Sequence, residues 1–244
     1  MTARLRLTAL AALLLAAIFG MASLRPVFAW LFPALERPVY VQDSFAALML
    51  AHVILVGISS LIAVTGGLVV GILVTRPAGL AYRGLAETLS AAGQTFPPVA
   101  VLAIAVPVLG FGDAPAVIAL VLYGLLPVIQ NTIAGLTMVS AGARDAARGL
   151  GFGAWRMLAL VELPLAAPLI LAGIRVSVII NIGTVAIAST VGVKTLGSPV
   201  MLGLSASNTA YVLQGAILVG LLALTVDAGF DVVAGRLERV ARPA

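Results

Sequence analysis

Five apolar runs, at residues 7–24, 53–74, 115–133, 165–191 and 209–231, constrain this chain more than any other feature. Each reaches or passes the length at which an α-helix can cross about 30 Å of hydrocarbon. A shorter run at 95–109 makes a sixth. Backbone N–H and C=O groups in lipid must be satisfied within the chain, which turns such runs into helices. Hydrophobic residues make up 62% of the 244 positions and charged residues only 9%, too little polar surface for a soluble domain. The expected fold class is all-α, a polytopic membrane protein with about six transmembrane helices.

Residues 1–24 open with Arg4 and Arg6 ahead of an apolar run, the pattern of a signal peptide or a first transmembrane helix. Val27-Phe28-Ala29 is a poor small-residue cleavage site, which favours a retained helix. Residues 25–43 carry three prolines, Trp30 and Tyr40, as an external loop with interfacial aromatics would. We expect a lead-in helix along the interface at 44–51, a second span at 53–74, and His52 at the outer boundary between them. Gly67-x-x-x-Gly71 inside that span would let another helix approach closely.

Residues 76–94 read as a polar internal loop, and 95–109 as a third span broken by Pro97-Pro98 and Pro107. Those prolines either line a pathway or kink a packed helix. A tight outer turn at 110–115 leads into the fourth span. The fifth span contains Arg175 and Asn181, and a buried arginine marks either function or a partner on a neighbouring helix. Residues 192–208 read as an external loop or a short re-entrant segment. This divides the chain into an N-terminal helix and loop (1–43), a membrane domain (44–234) and a short tail (235–244).

Basic residues test the threading. Arg4, Arg6, Arg76, Arg83, Arg144, Arg148, Arg156, Arg236, Arg239 and Arg242 fall on one side, against Arg25, Arg37 and Lys194 on the other. That bias places both termini and the 140–164 segment in the cytoplasm. The net charge of +5 is thus a matter of topology and gives no ground for a nucleic-acid partner.

The 140–164 segment is the one long stretch that hydrocarbon would reject, because it carries Arg144, Asp145, Arg148, Arg156 and Glu162. Its composition predicts two short helices, with Gly149, Gly151 and Gly153 supplying the bend and Pro164 in the first turn of the next helix. A rigid helical hairpin on a membrane face is a shape suited to a groove on a soluble partner.

The spacing of this segment resembles the EAA signature of ABC importer permeases, Glu-Ala-Ala, three residues, Gly, nine residues, Ile-x-Leu-Pro. Asp145 stands for the Glu and Val161 for the Ile, while Ala146, Ala147, Gly151, Leu163 and Pro164 match. Gln94-Thr95-Phe96-Pro97-Pro98, Gly110-Phe111-Gly112, Leu126-Pro127, the run from Val161 to Pro168, Ala172-Gly173-Ile174-Arg175 and Asn181-Ile182-Gly183-Thr184 are similar to the osmoprotectant (glycine betaine, choline, carnitine) subgroup. Val193-Lys194-Thr195-Leu196-Gly197 departs from it, where many relatives carry a glycine-rich run.

The resemblance implies a type I ABC importer permease in the bacterial inner membrane. It implies that Asp145, Ala146, Ala147, Gly151, Val161, Leu163 and Pro164 couple the chain to a separate ATPase subunit. Gln94, Pro97, Pro98, Arg175 and Asn181 are its candidate pathway or gate residues. The implied partners are ABC ATPase subunits, a periplasmic solute-binding protein, a second permease chain (the same or different) and membrane lipid. ATP would be used by the ATPase, with no cofactor on this chain. Aromatic residues are only 6% of the sequence and form no evident cage for a quaternary ammonium ion, which leaves solute selection to the binding protein.

An enzyme is disfavoured. The Gly149-x-Gly151-x-Gly153 cluster follows no strand, no GxxxxGK[ST] motif occurs, and no catalytic or metal-ligand set stands out. A secondary transporter or channel is the remaining rival, and would need acidic residues at mid-membrane for ion coupling. Asp227 and Asp231 read instead as an inner boundary.

Overall fold

The structure, a computed structural model, describes residues 2–93 and 95–241, with the side chains of 238–241 left out. All regular structure among these residues is helical: α1 (Ala3–Gly20), α2 (Arg25–Leu31), α3 (Phe45–Leu73), α4 (Arg83–Gly93), α5 (Pro98–Leu109), α6 (Asp113–Met138), α7 (Ala141–Gly149), α8 (Ala154–Met157), α9 (Leu163–Val185), α10 (Gly197–Ser205) and α11 (Thr209–Ala241). Five stretches are long and apolar enough to cross a membrane, namely Ala3–Leu31, Phe45–Leu73, Asp113–Met138, Ala154–Val191 and Thr209–Leu237. A sixth arises if α4 and α5, bent by 96°, count as one broken span.

Several boundaries differ from the sequence expectation, each for a local reason. The helix through α1 continues by a 3-10 turn (Met21–Leu24) into α2, so the external loop starts after Leu31 rather than at 25. Pro26 lies in the first turn of α2, where a missing N–H breaks no bond. The separate lead-in helix at 44–51 does not exist. Ser44 caps α3, its Oγ accepting from Ala47 N at 3.2 Å, and the helix then runs unbroken to Leu73. His52 therefore sits two turns inside α3, fully buried with Nε2 3.0 Å from the Ile182 carbonyl, and not at an interface.

The expected polar loop at 76–94 is largely helical, with a 3-10 turn at Leu80–Tyr82 followed by α4. The third span is correspondingly short, because α5 starts at Pro98 and has 12 residues. Pro97 holds extended angles (φ −67°, ψ 137°), as a residue before proline must, and this separates α5 from α4. α11 passes residue 234 without a break, so the boundary drawn there for a tail falls inside a helix.

The centre of the bundle is α3, α6 and α9, with α11 against α9, and α1 and α10 against α11. Lipid supplies no hydrophobic drive for helix association, so small residues that permit close approach carry it. Gly67 and Gly71 do this for α3 against α6: a Cβ at Gly67 would lie 2.7 Å from Val128 Cβ, and one at Gly71 2.6 Å from Thr132 Cβ. Gly173 of α9 meets α6 in the same way, at the Pro127 carbonyl and Asn131.

At the outer side, as the basic-residue bias assigns it, residues 37–43 are hooked onto the start of α11 and the segments that flank α10. Gln214, fully buried, donates from Nε2 to the Pro38 carbonyl at 2.7 Å and accepts from Tyr40 N at 3.0 Å. Asn208 Nδ2 donates to the Arg37 carbonyl at 3.0 Å. The Tyr40 ring meets Tyr211 edge-on at 5.6 Å. Asp43 accepts from Lys194 Nζ at 2.6 Å and from the Tyr40 hydroxyl at 2.8 Å. These bonds hold its carboxyl below the usual carboxylate range, the one from Lys194 most. Lys194 belongs to the departing 193–197 segment, so that departure contacts the end of the N-terminal helix and loop at Asp43.

Candidate functional site

The 140–164 segment folds as a helical hairpin held by one side-chain cap and three backbone bonds. Ser140 caps α7, its Oγ accepting from Ala143 N at 3.3 Å. At the other end Gly151 N donates to the Arg148 carbonyl at 2.9 Å and Phe152 N to the Ala147 carbonyl at 3.0 Å. That pair of bonds is a Schellman motif, with Gly151 in the left-handed region (φ 79°) that glycine reaches without strain. The spacing from Ala147 to Gly151 is thus the spacing from C3 to C′ of one helix terminus. α8 follows, Met157 N closing on the Gly153 carbonyl at 2.9 Å.

Ala147 is the buried residue of α7, while Asp145 and Ala146 are exposed. Asp145 pairs with Arg148 at 2.6 Å in the open, a contact worth little by itself. The hairpin presents apolar bulk outward: Leu150 is 76% exposed and Trp155 77%. Arg156 lies over the Phe152 ring at 4.4 Å and stiffens the turn between them.

After α8 the chain widens into a π-helical turn at Leu158–Glu162 and then enters α9 with Pro164 in its first turn. Pro164 has no N–H to offer the Leu160 carbonyl, and a π-turn is one way a helix absorbs that loss. Val161 and Leu163 are half-buried, Leu163 against the cluster of Leu136, Leu158, Ala166 and Ile170.

The sequence reading gave no role to Glu162, the residue that ties this hairpin down. Its side chain is 3% exposed. Oε2 accepts from Arg76 Nη1 at 2.6 Å and Oε1 from Arg144 Nε at 2.8 Å. Arg144 Nη2 also donates to the Leu136 carbonyl at 2.6 Å, completing the C-terminus of α6. The available signal was an acidic residue set among Leu160, Val161 and Leu163.

The described pathway candidates are held by different partners. Gln94 lies outside the described residues. Pro97 is exposed ahead of α5, and Pro98 lines a small gap with Leu102, Leu120 and Thr184. Asn181 is fully buried and donates from Nδ2 to Ser60 Oγ at 3.0 Å, between α9 and α3. Arg175 reaches α11, with Nε and Nη2 at 2.7 and 2.6 Å from Asp227 Oδ1 and Nη1 at 2.8 Å from Asp231 Oδ1. Arg6 of α1 joins this cluster, Nη1 at 3.0 Å from Asp231 Oδ2. A separate groove of ≈ 370 Å³ opens between α6 and α9, with Tyr123, Gln130, Asn131 and Thr184 as its polar lining.

Residues 67–239 match the family described as binding-protein-dependent transport system inner membrane component. The osmoprotectant import permease protein OsmY of Salmonella typhimurium is 39% identical over 176 residues, covering 72% of this chain and 75% of that protein. The glycine betaine/carnitine/choline transport system permease protein OpuCB of Bacillus subtilis is 38% identical over 174 residues, 69% and 78% of the two chains. Among solved structures, a chain of the inward-facing MetNI methionine ABC transporter superposes with a TM-score of 0.67 at 19% identity, covering 77% of this chain and 93% of that one. A chain of an amino acid ABC transporter, solved with histidines, gives a TM-score of 0.61 at 18% identity over 91% and 97%.

Proposed function

Since this chain belongs to the family of binding-protein-dependent transport system inner membrane components, we propose that it carries an osmoprotectant such as glycine betaine, choline or carnitine across the inner membrane. Transport is driven by separate ATPase subunits, which hydrolyse the ATP. The observation that carries the coupling role is the rigid hairpin of α7 and α8, with Leu150 and Trp155 aimed outward. An apolar knob on a capped turn fits a groove on a soluble partner. In this reading Asp145, Ala146, Ala147, Gly151, Val161, Leu163 and Pro164 shape and seat the knob. Both termini and the hairpin face the cytoplasm, as the basic-residue bias favours.

A solute-binding protein delivers the solute at the opposite face, and a second permease chain packs across the groove between α6 and α9. Tyr123, Asn131 and Thr184 give that groove the polar lining a pathway needs. ATP-driven closure of the ATPase pair biases the permease between two states. The substrate class is supported by relatives at 38–39% identity whose names specify osmoprotectant, glycine betaine, carnitine or choline transport. The secondary-transporter alternative loses support because Asp227 and Asp231 are ion-paired to arginines and not held free for ion coupling.

Co-purification with the ATPase tests the coupling role, comparing the natural chain with Gly151→Trp. Capture by the natural chain and weakened capture by the variant are expected. Uptake of labelled glycine betaine into vesicles holding the complex and its binding protein tests the substrate. No capture, or uptake independent of ATP, would reject the proposal.

A further inference from the structure

The carboxylate of Glu162 is where four elements meet. Arg76 extends from the end of α3, its N–H bonded to the Leu73 carbonyl at 3.1 Å. Arg144 lies on α7 and also holds the last turn of α6 through Leu136. Glu162 itself closes the π-turn that leads into α9. One buried anion therefore joins the hairpin to α3, α6 and α9, the three helices at the centre of the bundle.

The π-turn is what aims that carboxylate. One extra residue in a helical turn rotates everything beyond it by roughly 100°. Glu162 would otherwise leave the face that meets Arg76 and Arg144. Pulling the buried carboxylate away from both arginines would leave its charge uncompensated, which makes the join costly to break. Asp145, by contrast, makes an exposed pair within α7 that ties the hairpin to nothing.

We propose that Glu162 is a positioning residue for coupling, a clamp through which displacement of the α7–α8 hairpin is delivered to the ends of α3, α6 and α9. This rests on the coupling reading above. Without the clamp the hairpin still docks on the ATPase, but its movement is dissipated at the loop. A residue needed only for folding would lose docking and transport together, whereas a clamp separates them.

The test uses the assembled complex with its ATPase and binding protein in vesicles, measuring ATPase capture, ATP hydrolysis and glycine betaine uptake in one preparation. Glu162→Gln is the direct variant. Arg76→Gln is the gentler one, since it leaves the Glu162–Arg144 pair intact and cuts only the arm to α3. Both are expected to capture ATPase within about twofold of the natural chain, while ATP hydrolysed per solute moved rises at least about fivefold. Glu162→Asp is expected to recover part of the loss. An unchanged ratio in Arg76→Gln, or a loss of uptake that tracks loss of capture in both variants, would overturn the clamp and leave the coupling reading standing. Failure of the natural chain to capture ATPase would overturn both.

Discussion

Arg175 on α9 and Asp227 on α11 meet through two guanidinium nitrogens on one carboxylate oxygen, at 2.6 and 2.7 Å. Asp231 and Arg6 complete a neutral group of two cations and two anions that ties α1, α9 and α11 together. Arg175→Met would leave two carboxylates with one arginine. We expect a loss of about 1–3 kcal/mol, less than for a fully buried pair because these side chains are a quarter to two-fifths exposed. Adding Asp227→Leu should return part of it. Thermal unfolding in detergent, read by loss of the monodisperse peak, measures both variants as two legs of a cycle.

Gly151 occupies a left-handed position with no atom within 4 Å of where a Cβ would stand. Substitution there strains only the backbone, by about 1–2 kcal/mol for Ala and less for Asn, which tolerates that region. Amide hydrogen exchange across residues 141–157 is expected to quicken in the order Gly, Asn, Ala, Val. Equal exchange in all four would contradict the Schellman geometry.

Close packing of α3 on α6 predicts a contrast within one helix. Gly67→Ala and Gly71→Ala push a methyl into Val128 and Thr132 and should each cost about 1–3 kcal/mol. Gly57→Ala meets nothing within 4 Å and should be neutral or slightly stabilising. Melting temperatures of the three variants decide it.

The carboxyl of Asp43 is held low chiefly by the hydrogen bond from Lys194 and then by that from Tyr40. A depressed carboxylate stabilises the fold above its unfolded value of about 3.9 and loses that contribution as pH falls through the folded value. Lys194→Met should therefore move the onset of acid unfolding upward, toward pH 4. Acid titrations of the two proteins that coincide would show that the pair contributes nothing.

The hairpin was legible because its key spacing is local. Ala147 and Gly151 are four residues apart, and a helix terminus needs nothing further away to form. Pro164 was legible for the same reason, since a proline in a first turn is a local fact. Glu162 was not, because its partners stand 86 and 18 residues away and a π-turn sets the face it presents. Arg175 was seen as costly and left with two readings, while Asp227 and Asp231 read as a boundary. Only the packing of α9 on α11 brings the three together. His52 lies deeper than expected because α3 starts at the Ser44 cap and not at residue 53, which puts the 45–52 turns inside the span.

The bond from Gln214 to Pro38 and that from Arg6 to Asp231 fasten the segment from α1 through residue 43 to α11 at two separated points, and α1 packs along α11 between them. The two helices therefore form one mechanical body, and a tilt of α11 must carry α1 with it. Hydrocarbon meets Leu13, Leu15 and Phe19 instead of the face of α11 that α1 covers. Lipid on that side therefore acts on α11 through α1.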